Sequence, residues 1–484
     1  MLFAGLALAA CMPASAGAPE EPTPATAPAG TLGLVSRFEV DGVTDDLLTA
    51  GLGLEGLRAA APPAFADPRR PTPTELRRRA IYVAWRGLAD LAPGGGAGSL
   101  SGPRPDERIA GVELRIAVRA PGGRGADLVM LQLPRTFDPR DPCVVAAASS
   151  GSRGIYGALP TAAEWGLRKG CAVVTTDKGT GNGFFDHSRR AGIRVDGVTT
   201  TDLADPLLGF LPDPVASPSA PWRLSSKHAH AGVDPETQWG ERLIAATRVG
   251  FEWLNVEYRS RLRAPLSPAN TRVIASGISN GGAVVLRALE LDRGPVRERW
   301  FDAAVVSEPN AIVAAAMPRL ALAGPAAARA VEVRSLLDYS TLHGLLQPCA
   351  VLAEVDAAAP FAALTAANRA FHEAWCADLA AQGDVAGASV EARAADARAR
   401  LLEAGIGAGA LRLGHVNVQS QLWLSIAVTY LNAVARASVA EAPCGLGFAA
   451  VDAGGAPRAL TDEEWARLYA DRHPASRPYR PAID

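Results

Sequence analysis

Six short apolar runs punctuate the chain: Val112–Val118, Leu128–Leu133, Val144–Ala148, Cys171–Thr176, Thr271–Gly277 and Asp302–Ser307. Each has the length and residue content of a strand. Helical patterns lie between several of them, as at Pro160–Lys169. The clearest starts at Asp234-Pro235-Glu236, an N-cap followed by proline in the first turn. It continues towards Tyr258 with Trp239, Leu243, Ala246, Gly250 and Trp253 on one face. Apolar strands alternating with helices predict an α/β fold around a mostly parallel sheet. The texture changes over residues 311–410, which are Ala-rich and decorated with Arg, Glu and Asp, without strand signals. That stretch predicts a helical cap set over the carboxyl edge of the sheet. A further helix over about Val418–Val434 returns to the core, and Val451–Asp484 reads as a polar tail. The expected division is a core over 31–310, a cap over 311–410, a return to the core over 411–450 and a tail over 451–484.

Ahead of this pattern, the first sixteen residues form an apolar run ending in small residues. Such a run is too short to span a bilayer and reads as a signal peptide. Leu8-Ala9-Ala10-Cys11 resembles a lipoprotein box, which would place a lipid on Cys11, whereas Ala14-Ser15-Ala16 fits ordinary cleavage. Either way the expected destination is secreted or periplasmic, with membrane contact only through a lipid on Cys11. Residues 17–30 then form a Pro/Ala-rich linker. Export permits disulfides. Of the five cysteines beyond Cys11, Cys349 and Cys376 are the expected pair, Cys143 and Cys171 read as buried thiols, and Cys444 is left over.

Composition is that of an ordinary globular protein, with 48% hydrophobic and 20% charged residues. The formal net charge of −2 gives no reason to expect a nucleic-acid partner. The chemistry lies instead in Gly277-Ile278-Ser279-Asn280-Gly281, which follows one apolar run and leads into Gly282–Leu289. A strand, a tight turn and a helix are the context of a nucleophile elbow, in which the glycines let Ser279 stand exposed above the sheet. The amide of Asn280 would donate to an oxyanion, and the small-residue loop after Val144–Ala148 offers Ser150 and Gly151 as further donors. In an α/β-hydrolase the acid and base follow the serine, which brings forward Glu308 as acid and His415 or His473 as base. His343 and His372 fall in the expected cap and read as structural. His228-Ala229-His230 could put two imidazoles on one strand face, although no third ligand at metal spacing accompanies them. Arg153 and Arg189, in loops expected to rim the pocket, could meet a substrate carboxylate.

Several phrases together resemble the exported D-(−)-3-hydroxybutyrate oligomer hydrolases. They are Val273–Gly282, Thr176–Gly181, Lys227-His228-Ala229-His230 with Pro235-Glu236 and Gln238-Trp239-Gly240, Val306–Asn310, Gln347–Ala350 and Ile426–Tyr430, in that family's order over roughly residues 31–450. The resemblance implies an α/β-hydrolase-like esterase in which Ser279 attacks an ester carbonyl and the acyl-enzyme is hydrolysed, releasing 3-hydroxybutyrate from short oligomers. It implies a small-molecule ester substrate and no metal or organic cofactor. Members of that family continue well past the phrase matched here by Cys444-Gly445 and Phe448-Ala449-Ala450, and their acid and histidine are expected there. Two alternatives follow: an esterase of the same fold acting on tannin or feruloyl esters, and a shortened, catalytically poor relative.

Overall fold

The computed structural model describes residues 31–88, 91, 108–120, 124–212, 223–295, 298–310, 319–322, 329–332, 334–354, 356–443, 446–452, 457–471 and 480–483. The expected signal peptide and linker, Cys11, Cys444 and His473 lie outside these residues.

The central sheet has seven strands: β1 Thr31–Val40, β2 Gly111–Arg119, β3 Ala126–Pro134, β4 Cys143–Ala148, β5 Ala172–Thr176, β6 Arg272–Ile278 and β7 Ala303–Ser307. Their spatial order is β1-β2-β3-β5-β4-β6-β7. The pairs β5–β4, β4–β6 and β6–β7 are parallel, whereas β1–β2, β2–β3 and β3–β5 are antiparallel. Five strands therefore run in one direction, and β1 and β3 oppose them. All six sequence-predicted runs are strands of this sheet. β1 was not expected; its mixed exposure and interruptions by polar residues hide the strand period.

Side chains on the inner strands alternate between two apolar cores. Val144, Ala146 and Ala148 join Trp239, Leu243, Leu254, Val284 and Val285 on one face. Val145 and Ala147 join Ile81, Trp85, Leu159 and Leu167 on the other. Burial on both faces explains why these strands read as continuous apolar runs rather than alternating ones. The first face is covered by Trp239–Glu257 and Asn280–Leu291, the second by Pro73–Arg86 and Glu164–Arg168. β7 forms the outer edge, with Ala303, Ala304 and Val305 exposed.

Within the stretch expected to be wholly helical, Arg319–Leu322 and Arg329–Glu332 form an antiparallel pair. Helices follow over Leu336–Ala350, Arg369–Gln382 and Val390–Glu403, and the return segment is split into Gly414–Ser420 and Leu422–Ala435 by Gln421 in left-handed conformation. Ser335 and Asp338 form a capping box that starts the first of these helices. Leu346, Trp375, Leu401 and Val428 from this block share the apolar core of the second sheet face. The stretch expected as a polar tail also folds. Helix Asp462–Asp471 buries Trp465, Leu468 and Tyr469, and its Asp471 pairs with Arg79.

Among the described residues two disulfides are present, Cys349–Cys376 as expected and Cys143–Cys171 in place of two thiols. The second follows from strand register. Val144 lies opposite Ala172, so the residues that start β4 and precede β5 sit side by side, with a Cα separation of 4.6 Å.

On β2, Glu113 is fully buried and sits 3.0 Å from the Arg77 guanidinium. It also accepts from Tyr156 Oη at 2.8 Å and from Gln132 Nε2 at 3.0 Å. Burial alone would raise this carboxyl; Arg77 outweighs it and holds Glu113 below the usual carboxylate range. Arg77→Met leaves a buried carboxylate uncompensated, so we expect urea unfolding to show a loss of about 3–5 kcal/mol. The double variant Arg77→Met, Glu113→Leu should lose less, because the buried carboxylate goes together with its partner.

Candidate active site

Strand β6 ends at Ile278 and a helix begins at Asn280, so Ser279 has to turn the chain alone. It does so at φ 56° and ψ −122°, a conformation that side chains other than glycine rarely adopt and that is characteristic of functional turns. The turn is held by hydrogen bonds on both sides. Ser279 N–H donates to the Ser307 carbonyl at 3.0 Å, and its own carbonyl accepts from Asn310 N–H at 3.1 Å. Two flanking positions must be glycine for reasons of space. A Cβ on Gly277 would lie 2.2 Å from the Gly281 carbonyl oxygen, and one on Gly281 would lie 2.6 Å from the Ala148 carbonyl oxygen. Ser279 is thus presented at the carboxyl end of the parallel strands, half-exposed. Among the described residues no side chain hydrogen-bonds its hydroxyl.

The contact of Gly281 with Ala148 brings the start of the nucleophile's helix against the end of β4, where the loop bearing Ser150 and Gly151 begins. Asn280 is the first helical residue, so its amide N–H has no acceptor within the helix. The loop is pinned from beneath. Lys178 Nζ donates to Ser149 Oγ at 2.8 Å and to the Gly151 carbonyl at 2.6 Å. Ser149 Oγ donates in turn to the Arg153 carbonyl at 2.9 Å, and Ser152 Oγ lies 2.6 Å from His228 Nδ1. Lys178 is fully buried, and that burial pushes its ammonium down to about 7.

The Asn280 side chain is fixed as well. Its Oδ1 accepts from Tyr430 Oη at 2.9 Å and from Asn310 Nδ2 at 3.3 Å, and Tyr430 Oη accepts from Asn310 Nδ2 at 3.2 Å. Tyr430 comes from helix Leu422–Ala435 and meets the edge of the His228 ring at a centroid distance of 5.3 Å. Glu236 lies close to the same tyrosine, and burial, with Asp234 nearby, pushes its carboxyl up to about 7.

The structure therefore brings Ser279, Asn280, Ser150, Gly151 and Glu308 to one end of the sheet. Glu308 sits in the turn between Ser307 and Asn310 that clasps Ser279, exposed and at φ 45°. His415 is placed elsewhere. It is buried in the helical block with Nδ1 2.8 Å from Thr365 Oγ1, its charged neighbours are Glu354 and Asp356, and none of these partners belongs to the turn. His343 stacks on Trp423 and His372 bonds the Pro348 carbonyl, so both are built into that block. His228 and His230 stand on a one-turn helix, Lys227–His230, rather than a strand, and each is engaged: His228 with Ser152, His230 with the Ser226 amide. Arg153 is half-buried and donates to the Gly87 carbonyl, and Arg189 pairs with Asp186 and Asp462. Neither is held as a free carboxylate receptor.

The sequence matches the 3HB-oligomer hydrolase family over residues 7–474. The chain belongs to that family. Relatives include the D-(−)-3-hydroxybutyrate oligomer hydrolases of Burkholderia vietnamiensis, 38% identical over 87% of this chain, and Burkholderia thailandensis, 37% identical over 88%. In both cases the chain spans 63% of the relative's own length, a little under two thirds. The similarity to the X-ray structure of Candida antarctica lipase A is slight, at 14% identity over 40% of this chain and 37% of that one, with a TM-score of 0.22. The site's description therefore rests on this family member's own geometry.

Sequence reasoning gave no role to Lys178, Glu236, Asn310 and Tyr430, which come to the turn from four separate segments. All four fall in phrases that carry the family resemblance, and the lysine has a further signal, being one of three among 48 basic residues.

Burial holds His228 and His230 near 3 and His187 near 4, so all three are neutral in the folded chain. Unfolded imidazoles take up protons below about 6.5 while the folded ones do not. Their contribution to stability is therefore complete above that pH and is lost as pH falls towards 4. Urea unfolding below pH 6.5 should show a loss that approaches about 1.4 kcal/mol per pH unit for each histidine. His187→Asn, which keeps a polar side chain at its site, is expected to make that slope shallower by one proton.

Proposed function

We propose that this chain hydrolyses ester bonds in short 3-hydroxybutyrate oligomers, with Ser279 as nucleophile. The observation that carries the reading is Ser279 itself, held at φ 56° on a one-residue turn between a parallel strand and its helix, in a chain of the 3HB-oligomer hydrolase family. The names of the Burkholderia relatives point to the same substrate class.

The chemistry is acyl transfer through two tetrahedral intermediates. Ser279 Oγ bonds to the ester carbonyl carbon and gives its proton to a base, and the carbonyl oxygen becomes an oxyanion. The Asn280 amide and the amides of Ser150 and Gly151 are our candidate donors to that charge. The carbon–oxygen bond to the departing hydroxyacid then breaks and its oxygen is reprotonated. Water attacks the acyl-serine through the same sequence and frees 3-hydroxybutyrate. Glu308 is the carboxylate nearest in sequence and space to the turn and is our candidate for the acid. Among the sequence-predicted bases, His415 is committed to Thr365, so His473 becomes the stronger of the two.

The helical block of residues 336–435 acts as the cap in this reading, supported by the reach of Tyr430 from its last helix to Asn280. Export to the periplasm or beyond belongs to the same proposal, and two disulfides favour an oxidising destination. Purified protein incubated with the 3-hydroxybutyrate dimer and trimer should release monomer, and Ser279→Ala should lower that rate by about 10⁴-fold or more. Release that persists in the alanine variant would overturn Ser279 as nucleophile. Turnover of feruloyl or galloyl esters in place of the oligomers would overturn the substrate assignment.

A further inference from the structure

We propose that Lys178 is a positioning residue for the oxyanion loop, tying Ser149–Ser152 into the shape that aims its amides at the carbonyl attacked by Ser279. The inference deepens the esterase reading and rests on it for its catalytic half.

The geometry is specific to this side chain. Lys178 follows the end of β5 and is itself in left-handed conformation, at φ 49°. That backbone is held by its own bonds: its N–H donates to Thr176 Oγ1 at 3.0 Å, and the Gly179 N–H donates to Asp177 Oδ1 at 3.2 Å. The side chain is thus sent beneath the neighbouring strand's loop, and its ammonium ends against Ser149 Oγ and the Gly151 carbonyl. The remaining side of the nitrogen faces the Trp239 ring, 5.8 Å from its centroid.

Two consequences follow from the choice of acceptors. Gly151 is at φ +59°, and its carbonyl is turned down onto the lysine. A peptide plane with its carbonyl fixed below carries its amide partner, the N–H of Ser152, on the opposite side. Bonding the Gly151 carbonyl therefore fixes the Gly151–Ser152 peptide, the anchor from which the preceding amides of Ser150 and Gly151 are presented. The Ser149 bond fixes the loop's first residue, whose own hydroxyl is passed on to the Arg153 carbonyl, so both ends of the loop answer to one nitrogen.

The charged groups around Lys178 are Asp177 and Glu236, which favour its ammonium, and Arg153, which opposes it. A neutral amine still has two hydrogens for two acceptors, so the tether holds on either side of neutrality. What changes on deprotonation is the positive charge beneath the loop. A structural filler could be any apolar residue of this length. Burying an amine here at the cost of its desolvation is explained by the two bonds it makes to this loop.

The test compares wild type with Lys178→Met, which keeps the stem and removes both bonds, and with Ser149→Ala, which keeps the lysine and removes one acceptor. In the full chain without substrate, Lys178→Met should speed amide hydrogen exchange at 150–153 by about 10-fold, with the amides of β4 and of helix 280–291 unchanged. With oligomer substrate, kcat should fall by about 10²-fold while KM stays within about 3-fold, the signature of a group needed in the transition state. Ser149→Ala should give smaller changes of the same kind. If Lys178→Met does not fold, Ser149→Ala carries the test alone.

Unchanged loop exchange in both variants would overturn the proposal, as would faster exchange spread evenly over the core. A faster-exchanging loop with unchanged kcat would overturn its catalytic half. Wild-type protein that turns over no ester would sink the esterase reading, while the exchange measurement would still decide whether Lys178 holds the loop.

Discussion

The site depends on two backbones passing without side chains between them. Gly281 rests directly on the carbonyl of Ala148, and Gly277 rests on the carbonyl of Gly281. This clearance decides how closely helix 280–291 can approach the ends of β4 and β6, and hence where Ser279 points. It also decides how near the loop after β4 lies to the amide of Asn280. The parallel pairing of β4 with β6, Ser276 opposite Ala147, supplies the matching register underneath. A methyl group at Gly281 would push the helix off the strand end, and the two halves of an oxyanion site would separate by more than a hydrogen bond can span.

Around that contact the molecule buries an unusual set of polar groups for one end of a sheet. Lys178, Ser149, Ser152, His228, Asn280 and Tyr430 are all buried, and each finds a partner within the set. Leaving any one of them unpaired costs more than its bond contributes, so the network has few alternative arrangements. It draws on segments far apart in the chain: the turn after β5, the helix at Lys227–His230 and the last helix of the helical block. The serine's position is consequently a property of the whole fold and not of its own pentapeptide.

How much of this was legible beforehand differs by level. The inner strands were clear because burial on both faces made them continuous apolar runs, and the turn at Ser279 was clear because glycine spacing is local. Other features depended on what lies beside them in space. Cys143 and Cys171 look like two strand-opening thiols until the register of β4 and β5 sets them together. Asp462–Asp471 begins with three acidic residues and reads as tail, yet Trp465, Leu468 and Tyr469 find a surface on Pro73–Arg86. The pair Arg319–Leu322 and Arg329–Glu332 is too short and too rich in alanine and arginine to show a period of two. Lys178, Glu236 and Tyr430 fall within the family phrases without showing a role, since a hydrogen bond between residues 27 to 150 apart leaves no trace in spacing.

The placement of the two disulfides has a mechanical consequence. One rivets the starting ends of β4 and β5, the other lies wholly within the helical block. Among the described residues no disulfide joins sheet to helical block, and the bond from Tyr430 to Asn280 is part of what holds that seam. The sheet is thus braced covalently at the end away from Ser279, and by hydrogen bonds and apolar packing at the end that carries it.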